Sequence, residues 1–321
     1  MSLSPKKISE QLRRDEINKF IAFEQLISFI ENSENENIRR EAIEILDIIG
    51  IYNTKLFEVL ENILISDTNE KMRYKALRLL EKRFLVRTIK PLRWAINHEK
   101  DYKCLIAVIK SLENLNSEES KLILFNKVKQ IIKTKYLHKE KRIENKKFRK
   151  IIKKLFKNKK YELFTQKELS EILINFLTIK NLVKQYPNVY FELNAQNGLV
   201  EELDLSDFLE YEVKGTPFGW KNNIKSLSEI SGLNHLNCLK KINLSNNQIK
   251  NVKELINFEK LTHLTLVNNK ISKVDNINFI KSLSNLEYLD IRGNELAMKV
   301  NKKEFDSKIK VLLRDSYIKI K

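Results

Sequence analysis

The sequence predicts an α half followed by an α/β half. The first is a stack of helix pairs, an α-solenoid, over residues 1–160. The second is a short curved stack of parallel strands over residues 190–321. Three observations predict this. Arg39 and Ala42 recur as Arg73 and Ala76, 34 residues on, inside stretches of helical hydrophobic period. The pattern L-x-x-L-x-L-x-x-N-x-L, with Ile allowed for Leu, occurs three times after residue 238. Only six Gly and four Pro interrupt the 321 residues, which favours regular helices in the first half.

The helix pairs come first. "NIRREAIEILDIIG" (37–50) and "KMRYKALRLLEKRF" (71–84) share the Arg, the Ala three residues later and a following Leu. A looser third copy, "YKCLIAVIKSLENL", starts at Tyr102. Each follows another apolar-periodic stretch: "FIAFEQLISFIENS", "TKLFEVLENILIS" and "TIKPLRWAINHE". In the first of these, Phe23, Leu26, Ile27 and Ile30 share one helical face. Asp67-Thr68 and the Asn116…Glu119 pair are the expected caps. A single pair cannot bury its own apolar face, so pairs at this period must stack. Over about residues 5–115 the units resemble HEAT repeats, despite irregular spacing and Pro91 inside a first helix. The resemblance implies a curved binding scaffold without chemistry of its own.

A fourth, basic pair is expected at 117–137 and 139–158. Residues 1–120 carry 20 Lys+Arg and 20 Asp+Glu, whereas residues 121–160 carry 17 and two. Phe148, Ile151, Ile152, Leu155 and Phe156 form an apolar stripe, and Lys146, Arg149, Lys150, Lys153, Lys157 and Lys160 lie on other faces. Three readings stand open: a solvated face with no ligand, a sequence-indifferent grip on nucleic-acid phosphates by residues 127–160, or a contact with an anionic membrane or acidic protein. The predominance of Lys, 47 against 13 Arg in the chain, favours point-charge contacts over bidentate base readout.

A connecting helix is expected within 161–189, opened by a Thr165/Glu168 capping box and ending before Pro187. "YFELNAQNGLVEELDL" (190–205) reads as a hairpin turning at Asn197-Gly198, its second strand starting the sheet. The repeats follow as "LKKINLSNNQI" (239–249), "LTHLTLVNNKI" (261–271) and "LEYLDIRGNEL" (286–296), spaced by 22 and then 25 residues. They resemble leucine-rich repeats of the short phosphatase-regulator-like subclass, which implies a horseshoe with a parallel sheet. The Leu/Ile positions point into the core, and Asn247, Asn269 and Asn294 turn inward to bond backbone groups the tight turn leaves unpaired. Asn222 is the next inward Asn in register. Strand alternation sets three columns on the concave face: Glu202, Lys241, His263 and Tyr288; Asp204, Asn243, Thr265 and Asp290; Ser206, Ser245, Val267 and Arg292. The intervening 206–221 segment carries Phe208, Tyr211, Phe218 and Trp220. It is either a cap over exposed core edges or a partner-contacting loop. The C-terminus from Glu304 is expected as a capping helix and a short strand.

Catalytic signatures are missing from the sequence. His98, His138, His235 and His263 stand far apart, and no phosphate-binding glycine loop or nucleophile elbow occurs. Cys104 and Cys238 make no disulfide framework or thiolate metal site, and Cys104 sits among core residues. No secretory signal or bilayer-length apolar run is present, so a cytoplasmic location is expected. The expected function is a non-enzymatic scaffold, without cofactor or metal. It binds another protein through Lys241, His263, Tyr288 and Arg292, the aromatic insertion, or both. The alternatives are a nucleic-acid or ribonucleoprotein-associated factor and, from the horseshoe subclass alone, a regulatory subunit of an enzyme.

Overall fold

A computed structural model describes the protein at residues 3–133, 142–186, 189–207 and 222–314, with 142–145 in backbone only. The chain is helical in its N-terminal part and carries a mostly parallel sheet in its C-terminal part. It divides into two compact units. The first comprises residues 1–133 and Phe164–Leu173; the second comprises residues 134–163 and 174–321. Among the described residues no helix is long and apolar enough to cross a membrane.

The first unit begins with α1 (Pro5–Arg13), α2 (Lys19–Asn32), α3 (Glu36–Ile49) and α4 (Thr54–Ser66), then α5 (Glu70–Phe84), α6 (Ile89–His98), α7 (Tyr102–Leu115) and α8 (Glu118–Lys133). Helix α2 packs on α3, α4 on α5 and α6 on α7, so the three sequence pairs are pairs in space. Successive pairs meet helix to like helix: α3 on α5, α5 on α7, α4 on α6. Asn35, Asn69 and Asp101 cap α3, α5 and α7 by accepting backbone N–H groups of the first turn. The expected Asn116…Glu119 cap does not form. Asn116 instead takes a left-handed φ of 44° to end α7, and Ser117 Oγ accepts from Ser120 N. Pro91 lies in the first turn of α6, where no intrahelical N–H is required of it.

The recurring arginine has a structural role. Arg73 Nε and NH2 bond Glu99 at 2.7 and 2.8 Å, and NH1 donates to the Asp67 and Thr68 carbonyls. Arg39 does the same one repeat earlier, donating to Ile30 O and pairing with Asp67. Asp67 and Glu99 are each the C-cap residue of the next pair's first helix. The 34-residue period is therefore the period of an ion-pair ladder that ties each pair to the following one. Cys104 is buried, with Sγ donating to Glu70 O, and burial pushes its thiol pKa up, as packing rather than reactivity requires.

The basic helix α9 (Arg142–Asn158) belongs to the second unit, which corrects the expected fourth helix pair. The apolar stripe decides it: Phe148 meets Phe176 with ring centroids 5.0 Å apart, and Ile152 is fully buried against Gly198. Helix α10 (Gln166–Gln185), expected only as a connector, serves both units. Its start joins the first, where Gln166 donates to Leu112 O and Ser170 to Glu113. The Thr165/Glu168 capping box opens it as expected. Its later part joins the second, where Asn175 Oδ1 accepts the buried Val200 N–H.

Among the described residues one sheet of six strands forms, in sequence order. Strands β1 (Tyr190–Leu193) and β2 (Val200–Asp204) are antiparallel. Strands β3 (Lys241–Asn243), β4 (His263–Thr265), β5 (Tyr288–Asp290) and β6 (Lys310–Leu312) follow, each parallel to the one before. Of the capping helix and short strand expected from Glu304, residues 305–314 hold the strand, β6, and no helix. The second repeat interval is three residues longer than the first because its return segment forms a helix, α11 (Asp275–Lys281), where the first forms a 3-10 turn, Lys253–Asn257. A short helix, α12 (Leu296–Lys299), precedes β6.

The inward asparagines hold this stack as expected. Asn247, Asn269 and Asn294 are buried; each Nδ2 donates to three carbonyls and each Oδ1 accepts the N–H of Ile224, Ile249 or Ile271 in the preceding repeat. Asn222 donates to Leu205 O and Ser206 O. The residue before each inward Asn of the three repeats is left-handed: Asn246, Asn268 and Gly293.

Gly198, at φ +74°, is where α9 seats on the hairpin turn. Gly198→Ala is expected to destabilise the protein by about 1–2 kcal/mol from the left-handed backbone alone. The loss grows further because the new Cβ would lie 2.3 Å from Ile152 Cδ1. Amide exchange accelerated in α9, with the first unit unchanged, is the expected signature.

Candidate binding face of the sheet

Strand register sets side chains from all six strands in rows on the solvent-facing side. One row runs Glu192, Glu202, Lys241, His263, Tyr288 and Lys310. The next runs Tyr190, Asp204, Asn243, Thr265, Asp290 and Leu312. Between them lie the buried Leu203, Ile242, Leu264, Leu289 and Val311. The first two sequence-read columns thus stand, each lengthened at both ends by a strand that the repeat motif does not mark.

The first row is electrostatically graded. Lys147 of α9 pairs with Glu192, and its Nζ lies 5.3 Å from the Tyr190 ring centroid. This pair holds Glu192 below the ordinary carboxylate pKa, helped by the hydrogen bond from Tyr190. Lys241 Nζ reaches Glu202 at 2.5 Å. His263 and Tyr288 stack at the centre, with centroids 5.7 Å apart and planes 19° from parallel. Lys310 Nζ lies 5.8 Å from the centroid of Tyr288.

The second row is a polar brace. Asn243 Nδ2 donates to Asp204 at 2.9 Å, and Asn243 Oδ1 accepts from the N–H and hydroxyl of Ser245. Asp290 is buried and takes Arg292 Nε at 2.9 Å and NH2 at 2.7 Å. Arg292, expected as an anchor for a partner, is therefore engaged within its own repeat. Tyr288 keeps its proton well into alkali, because partial burial and then the Asp290 charge push its pKa up. It stands as a neutral hydroxyl, 3.4 Å from Asp290 Oδ2.

His263 accepts or donates at Nδ1 with Thr262 Oγ1, 2.9 Å away. Lys241, His263 and Tyr288 are brought together, as the strand alternation requires. Phe208, Tyr211, Phe218 and Trp220 lie outside the described residues. Lys146, Lys150, Lys153, Lys157 and Lys160 are exposed on or just beyond α9, but Arg149 is not. Its Nε and NH2 atoms are withdrawn from solvent, since its position flanks the buried Ile152 side of the helix. Lys147 and the β6 residue Lys310 escaped the sequence reading. The first is one more lysine in a basic run, and the second follows no L-x-x-L-x-L motif. Compared with models of known families, with curated proteins and with solved structures, the chain matches none.

Proposed function

We propose that the protein is a non-enzymatic scaffold that binds another protein across the sheet face. In this reading its first unit is a stack of HEAT-like pairs and its second a short leucine-rich horseshoe. The observation that carries it is the stacked His263/Tyr288 pair, half-buried at the centre of a row whose flanks are charged. An aromatic centre with a polar rim is the composition of an interface hot spot. The row is held stiffly: buried aliphatic residues lie beneath it, and paired carboxylates brace the row beside it. Little side-chain entropy remains to be lost on docking.

The test starts from a partner captured by cross-linking in the native cell, then purified. The double variant His263→Ala/Tyr288→Ala is expected to weaken that complex by about 30-fold or more, the effect of losing one hot spot. Its melting temperature should stay close to that of the parent, because neither ring belongs to the core. Unchanged affinity in the double variant, measured by titration calorimetry, would refute the sheet face as the docking surface.

A further inference from the structure

We propose that α9 presents a phosphate-binding stripe for the backbone of nucleic acid, a surface separate from the sheet face and independent of its function. Lys146, Lys150, Lys153 and Lys157 are all exposed. At 3.6 residues per turn their i, i+4, i+7, i+11 spacing confines them to a sector of about 60°, a row about 16 Å long with one ammonium per turn. The opposite side of the helix carries Phe148 and Ile152, seated on Phe176 and against Gly198. The row is therefore mounted on a fixed helix.

The excess of base over acid along one helix sets this row apart. In the first unit many bases meet a carboxylate on a neighbouring helix, as in Lys75–Glu44, Lys82–Asp47, Arg83–Asp47 and Arg93–Glu119. On α9 Lys147 is matched to Glu192, yet none of the four stripe lysines pairs with a carboxylate among the described residues. Residues 142–160 contain ten Lys+Arg and one acidic residue. Four like charges in a row repel one another, and an external polyanion relieves that repulsion while releasing its own counterions.

The side chains present choose among polyanions. An in-plane membrane helix needs its apolar face available, but here that face is used against α10 and the hairpin, and no large apolar side chain of α9 is exposed from Phe148 onward. A protein interface would be expected to draw on aromatic or arginine anchors. The stripe holds neither, since Arg149 is turned away. Flexible ammonium groups suit the diffuse, regularly spaced charge of a phosphodiester backbone, without base readout.

The experiment uses the full chain and fluorescence anisotropy with a labelled duplex of about 20 base pairs and a single strand of equal length, between about 50 and 200 mM salt. Binding should be sequence-indifferent. For the duplex the logarithm of affinity should fall with the logarithm of salt at a slope of about −3 to −4, the value for four phosphate contacts. The variant Lys146→Gln/Lys150→Gln/Lys153→Gln/Lys157→Gln should lose nearly all of this binding, while the matching four-Arg variant retains it. Substituting the exposed Lys250, Lys253 and Lys273 by Gln should change affinity little. The proposal is overturned by absence of oligonucleotide binding at the lowest salt, or by binding that survives the four Gln substitutions. Loss of binding in the four-Arg variant, or tighter binding to phosphatidylserine vesicles or polyglutamate than to either oligonucleotide, overturns it equally.

Discussion

Replacing Asn269 with Ala is expected to lower the stability of the protein by about 3–5 kcal/mol: one buried N–H loses its sole partner at about 1–3 kcal/mol, and three carbonyls each lose one of two donors at about 0.5–1.5 kcal/mol, less what water recovers. Asn269 Oδ1 accepts the buried N–H of Ile249 at 3.0 Å, while Nδ2 donates to the carbonyls of Leu244, Leu266 and Val267. Those groups belong to two successive repeats, so one amide satisfies the turn of its own repeat and the turn before it. Ala strands the Ile249 N–H and takes one donor from each of three carbonyls, which keep Asn247 Nδ2 (Leu244), Asn294 Nδ2 (Leu266) and Asn246 N–H (Val267), and it leaves a small polar void. Asn269→Asp separates the two halves of the argument. It keeps an oxygen toward Ile249 N–H but sets a second oxygen against carbonyls, so near neutral pH it should be at least as damaging. Acidification should recover part of the loss, because the protonated acid donates one hydrogen bond. Urea unfolding measures both, with the midpoint shifted and the slope retained. A loss near 1 kcal/mol for the Ala variant, the size of one ordinary hydrogen bond, would show that the ladder is not the main tie between repeats.

This amide was legible before the structure because its motif leaves no freedom. Strand period two, with a repeat near 22 residues, makes each Leu, Ile and Asn equivalent to its predecessor, and the register follows. Asn276 was not legible. Its Oδ1 accepts Val252 N–H in the same manner, but it lies in the longer return segment, where the lost period hides the equivalence. A short strand was expected after Glu304, but its place in the sheet beside β5 was not legible, because Lys310–Leu312 is followed by no inward Asn. The apolar stripe of α9 was read correctly as a stripe, yet periodicity on one helix does not say which neighbour covers it. The contact from Phe148 to Phe176 is tertiary, and it moved the basic helix from one unit to the other. Arg292 shows a third thing that periodicity leaves out, the pairing of neighbours within one repeat. Its place on the face was right, but two same-side residues of opposite charge, Asp290 and Arg292, satisfy each other first.

Removing Arg73 is expected to cost about 3–5 kcal/mol at neutral pH, the usual penalty for stranding one member of a buried ion pair. The side chains of Arg73 and Glu99 are 16% and 3% exposed, so neither charge can be left to water. Burial opposes ionisation of Glu99, but the Arg73 hydrogen bonds, the N–H groups of Asp101 and Lys100 and the Arg73 charge outweigh it and hold its pKa below the ordinary range. The wild-type pair therefore contributes fully above the unfolded carboxylate pKa of about 4.3, and its contribution fades as acid carries the pH down through the lower folded value. In Arg73→Ala the sign reverses. Burial then dominates, the folded pKa of Glu99 rises, and stability is lost as pH climbs from about 4.3 through that raised value. The gap between wild type and variant should thus be widest near pH 7 and narrow steadily toward about pH 4. Adding Glu99→Gln to Arg73→Ala should abolish the variant's own pH dependence over this interval and recover part of the stability at pH 7. A gap that stays constant with pH would assign the loss to the Asp67 and Thr68 carbonyls that Arg73 also holds, and would leave the ladder as a set of hydrogen bonds in which the charges play no part.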